Sequence, residues 1–250
     1  MTTITARGLH GQVVNELGSR IMKGELNPGD TIDPDALLRE FGVSRTVMRE
    51  VMKVLSAKGL IDARPRLGTY VTERTRWQLL DTEVMNWRAQ GDPDPLLVLE
   101  LGEVREIIEP AAARMAAMRR TDEQLATMGA AISALEIAFS TKTGSLVEAD
   151  VRFHSAILQA AGNELLDRFE VVLEPALHAR DSLSLSHATT GDFIAQHRSV
   201  FEAIAAQDAV TAGERMVELM HAAANDAITV LGRDQRGRAA VESRVKLTEI

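Results

Sequence analysis

Residues 44–71 of the chain, SRTVMREVMKVLSAKGLIDARPRLGTYV, decide the predicted fold. Ser44 is a favourable helix N-cap, because its hydroxyl can accept a hydrogen bond from a free backbone N–H of the first turn. No Gly or Pro follows until Gly59, where the helix should end. The residues after Gly59 predict two short strands joined by a turn at 64–68. The stretch therefore predicts a helix followed by a β-hairpin.

The predicted helix carries one apolar stripe and one basic stripe. The apolar stripe recurs every four residues and consists of Val47, Val51 and Leu55. The basic stripe has the same spacing, is interrupted only by Glu50, and consists of Arg45, Arg49 and Lys53. A helix fits the major groove of DNA, where Arg can donate two hydrogen bonds to guanine and Lys or Arg can pair with phosphates. The alternative is a solvated amphipathic helix beside an ordinary hairpin. Such a helix would normally carry more Glu and Asp to balance its basic residues.

The charge of the chain is divided unevenly between its two ends. Of 250 residues, the first 75 hold 11 Lys and Arg against 9 Asp and Glu, whereas the remainder hold 17 against 27. The chain has no Cys, which excludes disulfides, thiolate zinc sites and cysteine nucleophiles. No apolar run approaches the ~20 residues that a membrane helix needs, and the N-terminus lacks a secretory apolar segment. We therefore expect a cytoplasmic protein without a membrane partner, in which the N-terminal part approaches DNA.

The residues before Ser44 predict two further helices. Apolar residues at helical spacing indicate a first helix that starts near Leu9 and ends at Gly24. Asp33 and Pro34 are typical of a cap and first turn, so a short second helix should run to about Phe41. Together with the helix after Ser44 this predicts a helix-turn-helix and a β-wing within residues 1–75.

The rest of the chain predicts helices alone. The candidate helices span 79–90, 96–119, 121–139, 146–161, 163–185, 191–206 and 208–231. Pro110 should kink or break the second of these, because proline removes a backbone donor. The tail at 233–250 is polar and is expected to be flexible. The predicted fold class is thus mainly α, with an N-terminal winged helix-turn-helix and a C-terminal all-α antiparallel bundle over 76–232.

Three N-terminal motifs resemble a known family of DNA-binding proteins. PGD at 28–30, then FGVSRTVMREVMKVLSAKGLI and RPRLGTYV, are similar to the winged-helix domain of GntR bacterial regulators. The resemblance implies contacts with double-stranded operator DNA, through the helix to bases and phosphates and through the wing tip to the minor groove. The implied contact residues are Arg45, Thr46, Arg49, Lys53, Arg64, Arg66 and Gly68. Where the family commonly has an Arg that also touches DNA, this chain has Asp35.

The C-terminal part resembles the ligand-binding domain of the FadR-like branch of that family. The resemblance rests on WRAQGDPDPLLVLELGEVREIIEPAAARMAA, ADVRFHSAILQAAGNELL and QHRSVFEAIAAQDAVTAGERM. It implies that residues 76–232 bind an effector and form a homodimer.

Asp150 and His154 are candidates for a metal site. They lie four residues apart, on one face of a helix, close enough to bind one ligand together, although a hydrogen-bonded surface pair is the alternative. The resemblance implies a divalent ion such as Zn, Ni or Mn, held also by two later His. His197 matches the first of these, but the second position is Leu219. His221 lies two residues further, rotated by roughly 200° from the expected face.

The resemblance also places Arg105 in the effector pocket, where an Arg can clamp a carboxylate through two hydrogen bonds. The alternative is an Arg that pairs with Glu109 on the helix surface. His178 and Arg180 are further candidates to border the cavity. Asn163 matches a recurrent family residue but can also simply cap the following helix. The candidate effector set is thus Arg105, Asp150, His154, Asn163, His178 and His197.

These observations favour a DNA-binding transcription regulator and not an enzyme. The segment WQLLDTEVMNWRAQ resembles regulators of sugar-acid catabolism, galactonate repressors among them. The function implied is a repressor of carbohydrate or sugar-acid catabolism that a small carboxylate releases from a palindromic operator. The alternatives are a metal-responsive regulator and a metal-dependent hydrolase, although neither an HExxH motif, a nucleophile elbow nor a phosphate loop is present.

Overall fold

A computed structural model describes residues 8–66, 68–90, 94–141, 146–182, 192–233 and 235–248. The chain divides into two compact units, and the division falls after Gln90. The expected boundary between residues 75 and 76 thus lies 15 residues too early. The segment between the two positions packs on the first unit, because Trp87 is buried and donates a hydrogen bond of 3.2 Å to the side-chain oxygen of Asn15.

The first unit is a small helical domain with a three-stranded antiparallel sheet. Its elements in chain order are α1 (Leu9–Met22), β1 (Thr31–Ile32), α2 (Pro34–Phe41), α3 (Arg45–Ala57), β2 (Ile61–Arg64), β3 (Gly68–Val71), a 3₁₀ helix (Arg74–Arg76) and α4 (Thr82–Ala89). The strand order is β1-β3-β2. The predicted helices, hairpin and helix-turn-helix are confirmed. β1 was not expected, since two residues carry no recognisable strand pattern.

Local chemistry sets the ends of α3 as the sequence predicts. The Ser44 hydroxyl accepts a hydrogen bond of 3.3 Å from the backbone N–H of Val47. Gly59 follows α3 with a φ of +76°, and a side chain there would meet the backbone oxygen of Arg76 at 2.1 Å. Only glycine suits that position. The inward face of α3 packs into a core with α1 and the sheet, formed chiefly by Leu17, Ile21, Met48, Val51, Leu55, Leu60 and Val71.

The second unit consists of helices that pack around one main apolar core. They are α5 (Pro95–Arg119), α6 (Asp122–Thr141), α7 (Leu146–Ala160), α8 (Glu164–Asp167), α9 (Glu170–Ser182), α10 (Asp192–Ala205), α11 (Ala209–Leu231) and α12 (Gln235–Thr248). α5 packs extensively on α11, and α7 packs between α5, α6 and α9. None of the described helices is long and apolar enough to span a membrane.

Three predictions about these helices need correction. α5 continues through the buried Pro110, so of the kink or break expected there the break does not occur. The single helix expected from residue 163 is divided into α8 and α9 around Arg168 and Phe169, and its expected last residues lie outside the described part of the chain. The expected flexible tail instead contains α12, which buries Ala240 and packs on α5 and α11, so its few apolar residues are sufficient for docking.

Candidate functional sites

The outward face of α3 presents the predicted DNA-contacting side chains. Arg45, Thr46, Arg49 and Lys53 are all exposed. The buried side chains of α3 are Met48, Val51 and Leu55, whereas Val47 is only half-buried. The helix is therefore anchored by its apolar side, and its basic side faces solvent.

Two acids moderate the charge of this basic face. Asp35 Oδ1 lies 3.5 Å from Arg45 Nη2, so the acid that replaces the expected Arg lies beside the start of α3. Glu50 Oε1 lies 2.9 Å from Lys53 Nζ and 3.8 Å from Arg49 Nε. Exposed pairs of this kind contribute about 0–1 kcal/mol, so phosphates can compete for the cations.

The wing extends from the same unit beside α3. β2 and β3 pair with Arg64 opposite Gly68, which leaves three residues in the loop. The Arg64 guanidinium lies over the Tyr70 ring, 4.8 Å from its centroid. Arg66 is exposed at the tip, with a φ of +69°. The predicted contact residues Arg64, Arg66 and Gly68 are thus all exposed on one hairpin.

A cluster of charged and titratable side chains lies inside the second unit. α5 supplies Arg105 and Glu109, α7 supplies Asp150 and His154, and α10 supplies His197. All five are buried, with relative exposures of 5% or less. Burying charged groups is costly unless they are paired, so these side chains must satisfy one another or hold a ligand.

Both histidines direct Nε2 at the same carboxylate. His197 Nδ1 lies 2.7 Å from the Phe193 carbonyl, an acceptor only, so this nitrogen must donate its hydrogen there. His197 Nε2 lies 2.9 Å from Asp150 Oδ1, and His154 Nε2 lies 3.5 Å from the same oxygen. Glu109 Oε2 contacts His154 Nδ1. Outer partners therefore fix the orientation of each ring and leave both Nε2 atoms facing Asp150.

The charges inside the cluster shift three acid–base equilibria. Burial alone would raise the pKa of Asp150, but hydrogen bonds from His154 and His197 hold it well below its ordinary value. Burial likewise opposes ionisation of Glu109, yet Arg105 and His154 lower its pKa to about 2. Burial would lower the pKa of His154, but the charge of Glu109 and a hydrogen bond to Asp150 raise it. The two carboxylates are thus ionised.

The donor set fits a divalent metal ion. One potential ligand atom from each of Asp150, His154 and His197 lies within 4.8 Å of the other two. A histidine that ligates metal through one nitrogen and hydrogen-bonds through the other is the usual arrangement in metal sites. Leu219, at the expected fourth position, is buried but offers no donor atom, and His221 is exposed. The described residues therefore offer three candidate ligands to a metal ion at this position.

Arg105 pairs with Glu109, as the alternative predicted. The pair is buried inside the second unit, however, and does not lie on the helix surface. Arg105 Nε donates to Glu109 Oε1 at 2.5 Å, and Nη2 lies 3.5 Å from His154 Nε2. Arg105 also borders a small cavity of about 30 Å³ with Val98, Gly102, Ala176, Met220 and Ala224. Arg105 therefore contacts the histidine cluster and also borders this cavity.

Some residues of the expected effector set do not join the cluster. The Asn163 side chain caps α8 by accepting a hydrogen bond of 3.0 Å from the Leu165 backbone N–H, and it is exposed. His178 is exposed on α9. The Arg180 side chain lies outside the described residues. Conversely, Glu109 belongs to the cluster, whereas the sequence suggests it only as a surface partner of Arg105. The signal for its place in the cluster is its spacing of four residues from Arg105.

Comparison with known proteins identifies both units. The family described as bacterial regulatory proteins, gntR family, matches residues 9–71, and the FCD domain matches residues 100–222. The galactonate operon transcriptional repressor of Escherichia coli K12 is 35% identical over 201 residues, covering 79% of this chain and 87% of that protein. The chain belongs to the GntR family. This GntR protein is therefore a transcription regulator with a DNA-binding winged helix and an FCD domain, not an enzyme.

Further relatives agree with this family and fold. The HTH-type transcriptional regulator LutR of Bacillus subtilis is 31% identical to this GntR regulator over 210 residues, covering 79% of this chain and 91% of LutR. The solved structure of Lar, which controls expression of the Listeria monocytogenes agr system, matches with a TM-score of 0.61 at 20% identity, covering 88% and 97% of the two chains. At this identity the second match supports the fold alone.

Proposed function

We propose that this GntR regulator is a homodimeric repressor of a sugar-acid operon, released from palindromic operator DNA by a small carboxylate effector. The observation that carries the proposal is the buried cluster in which Arg105, His154 and His197 converge inside the FCD domain. The galactonate repressor among its relatives supports an aldonate, a polyhydroxy carboxylate, as the effector.

A divalent metal ion held by the cluster, together with Arg105, would offer an anion a favourable place in an otherwise acidic part of the chain. Residues 76–250 carry ten more acids than bases, so an anion needs a local cationic centre to bind there. Glu109 engages Nε of Arg105, Nη2 lies 3.5 Å from His154 Nε2, and Arg105 also borders the cavity. A guanidinium edge forms two parallel charge-assisted hydrogen bonds with a carboxylate, which a Lys cannot reproduce.

The residues that would hold a divalent metal are Asp150, His154 and His197. Such an ion would supply a Lewis-acidic centre that attracts anionic and hydroxyl ligands. Since the part of the chain that the structure describes offers three ligands, solvent or the effector would complete the coordination. This arrangement favours a polyhydroxy acid over a fatty acid.

The first unit supplies the DNA contacts in this proposal. The exposed basic face of α3 enters the major groove, and the wing tip at Arg66 reaches the minor groove. Because one such unit reads one half-site, two copies related by a twofold axis match a palindrome.

Operator release by the effector tests the proposal. In a gel shift at fixed salt, D-galactonate should release the wild-type protein from its operator. Arg105→Lys keeps a positive charge beside the buried Glu109, so the fold should persist, but the carboxylate fork is lost. This variant should bind operator normally and need at least about tenfold more galactonate. Arg152→Lys, an exposed position on α7, is the matched control. If the wild type, Arg105→Lys and Arg152→Lys are all released at the same galactonate concentration, the role of Arg105 is contradicted.

A regulator that responds to metal alone is the second candidate, and the three converging ligands favour it. Operator affinity would then follow the concentration of a divalent ion without any acid. Metal analysis before and after mild chelation, paired with the same gel shift, separates the two candidates.

A further inference from the structure

Tyr70 has a buried ring on the side of the wing that faces away from the core. Its neighbour on β3, Val71, belongs to the apolar core of the first unit, so the Tyr70 side chain lies on the opposite face of the sheet. On β2, Asp62 lies directly opposite Tyr70, and Arg64 lies opposite Gly68. Tyr70 is nevertheless only 8% exposed. Side chains outside the core therefore cover its ring.

Arg64 is held on this ring by its position in the hairpin. Its guanidinium carbon lies 4.8 Å from the centroid of the Tyr70 ring, within the range of a cation–π interaction. Gly68, directly across from Arg64, has no side chain, so the nearest large neighbour of Arg64 on the same face is the diagonal one, Tyr70. Asp62 is engaged by Arg76, whose Nη1 lies 2.8 Å from Asp62 Oδ2. The Arg64 side chain makes no ion pair or hydrogen bond with another described residue, so its N–H groups are available to DNA.

Arg66, at the tip of the same hairpin, lacks such support. It is exposed, and its guanidinium contacts no aromatic ring or acid among the described residues. The wing thus presents two arginines of different kinds, of which Arg64 is ordered before DNA arrives and Arg66 is not. Ordering an Arg in the unbound protein reduces the conformational entropy that is lost on binding, and for this long side chain the reduction is substantial.

We propose that Tyr70 is a positioning residue of the wing, whose ring holds the Arg64 guanidinium in the orientation that enters the minor groove beside the wing tip. The narrow minor groove of A·T-rich DNA has an enhanced negative potential that attracts an inserted Arg. An Arg64 held in one place senses the groove at one base step, whereas a mobile Arg can reach phosphates over a wider range. Tyr70 thereby makes the wing selective for A·T-rich sequence without touching DNA itself. This inference deepens the proposed function and rests on its contact between wing and DNA.

A double-mutant cycle on DNA affinity tests the coupling of Tyr70 to Arg64. The probe is a duplex that the wild-type protein selects from random sequence, and binding is measured at fixed salt. Tyr70→Leu should weaken binding by about threefold to tenfold, as expected for loss of a cation–π contact. Tyr70→Phe keeps the ring, and the hydroxyl that it removes makes no hydrogen bond with a described residue, so it should bind within about twofold of wild type.

The second arginine of the wing provides the matched control. In the Arg64→Ala background, Tyr70→Leu should change the affinity by less than about twofold, because the side chain that it positions is absent. In the Arg66→Ala background, Tyr70→Leu should keep its full effect. If Tyr70→Leu merely damages the fold, it weakens binding equally in the wild-type and Arg64→Ala backgrounds, and that result would overturn the proposal. A Tyr70→Leu variant that binds as the wild type would overturn it too.

The Arg64→Ala variant separates this inference from the proposed function. If Arg64→Ala binds DNA as tightly as the wild type, Arg64 makes no contact with DNA, and both the role of Tyr70 and the contact assigned to Arg64 are wrong. If Arg64→Ala weakens binding but Tyr70→Leu acts independently of it, the role of Tyr70 alone is overturned.

Base substitution beneath the wing provides a second, independent measurement. Duplexes with A·T, G·C or inosine·C pairs at the positions that the wing protects differ in their minor groove, because only G·C presents the guanine amino group there. The wild type and Tyr70→Phe should prefer A·T and inosine·C over G·C by about threefold or more, and Tyr70→Leu should lose most of this preference, as Arg64→Ala does. A purely structural role would lower the affinity for all three duplexes alike. A preference that survives in Tyr70→Leu would overturn the proposal.

Discussion

Glu109 shows how a single buried carboxylate organises the charged cluster inside the second unit. It accepts from Arg105 Nε through one oxygen and contacts His154 Nδ1 through the other. A pKa of about 2 keeps it ionised. Because Nδ1 of His154 is directed at Glu109, Nε2 is left to face Asp150. Glu109 thus orients His154, one of the three candidate metal ligands, although it is not one of them itself.

Glu109→Gln should lower the affinity for a divalent metal by about 10–100-fold, as loss of an outer partner of a ligating histidine typically does. The amide removes the charge that orients His154. Calorimetric titration with Zn²⁺ measures the change, and Glu106→Gln, on the same helix but outside the cluster, is the control. An unchanged affinity would show that Glu109 serves only to neutralise Arg105.

Arg49 is the residue whose loss should affect DNA binding most directly. It is exposed in the middle of the basic face of α3, and its Nε lies 3.8 Å from Glu50 Oε1. Arg49→Ala should weaken specific operator binding by about 1–3 kcal/mol and leave the fold intact. The exposed Arg168, in the second unit, provides a control substitution to Ala. A gel shift at constant salt in which both variants bind as wild type would exclude a base contact by Arg49.

At the scale of the elements, a polar network attaches α4 to the end of α3. Lys58, which follows α3 and is buried, lies 2.7 Å from Asp81 Oδ1 and 2.9 Å from Glu83 Oε2. The Asp81 side chain also accepts from the first backbone N–H groups of α4. This network and the buried Trp87 place α4 in the DNA-binding unit.

Asp81→Ala should destabilise that unit by about 2 kcal/mol, since it removes a helix cap and one partner of a buried ammonium group. Urea unfolding followed by Trp fluorescence measures the change. As a control, Asp167→Ala, at a half-buried position at the end of α8 in the second unit, should leave the unfolding of the first unit unaltered.

The contribution of Asp81 should also depend on pH. Burial opposes its ionisation, but Lys58 and the backbone N–H groups of α4 lower its pKa below the ordinary value of 3.8. A carboxyl with a lowered folded-state pKa stabilises the fold above its unfolded pKa, and this stability is lost as the pH falls through the folded value. The difference in unfolding free energy between wild type and Asp81→Asn should therefore be constant near neutral pH and shrink below about pH 4. If the difference in unfolding free energy persists at pH 2, the effect of the substitution comes from packing and not from the charge of Asp81.

The elements were predictable where local chemistry decides them. The cap at Ser44 and the glycine after α3 are fixed by neighbours in sequence, and both appear as predicted. The i, i+4 spacing likewise placed Asp150 beside His154. By contrast, the spacing of Arg105 and Glu109 is the same whether the pair lies on the surface or in the interior. Packing of α5 against α11 decides that the pair is buried. The docking of α12 on α5 likewise depends on tertiary packing, so the polar composition of residues 233–250 did not indicate it.

At the scale of the whole molecule, α5 carries the cationic part of the buried cluster. Its buried face carries Arg105 and Glu109. An effector can shift an equilibrium between two states only by its differential affinity for them. The proposed repressor therefore needs two arrangements of its dimer, of which one fits the operator and the other favours the acid.

Such coupling must be reciprocal, and this gives the last prediction. If galactonate weakens operator affinity by some factor, bound operator must weaken galactonate affinity by the same factor, expected between about 5-fold and 150-fold. Calorimetric titration of galactonate into the free protein and into the protein saturated with operator measures it. The control is Arg49→Ala mixed with operator DNA at a concentration too low for this variant to bind it. This variant should bind galactonate as the free wild type does. Equal galactonate affinity with and without bound operator would contradict a two-state repressor, because a ligand that does not sense DNA cannot release it.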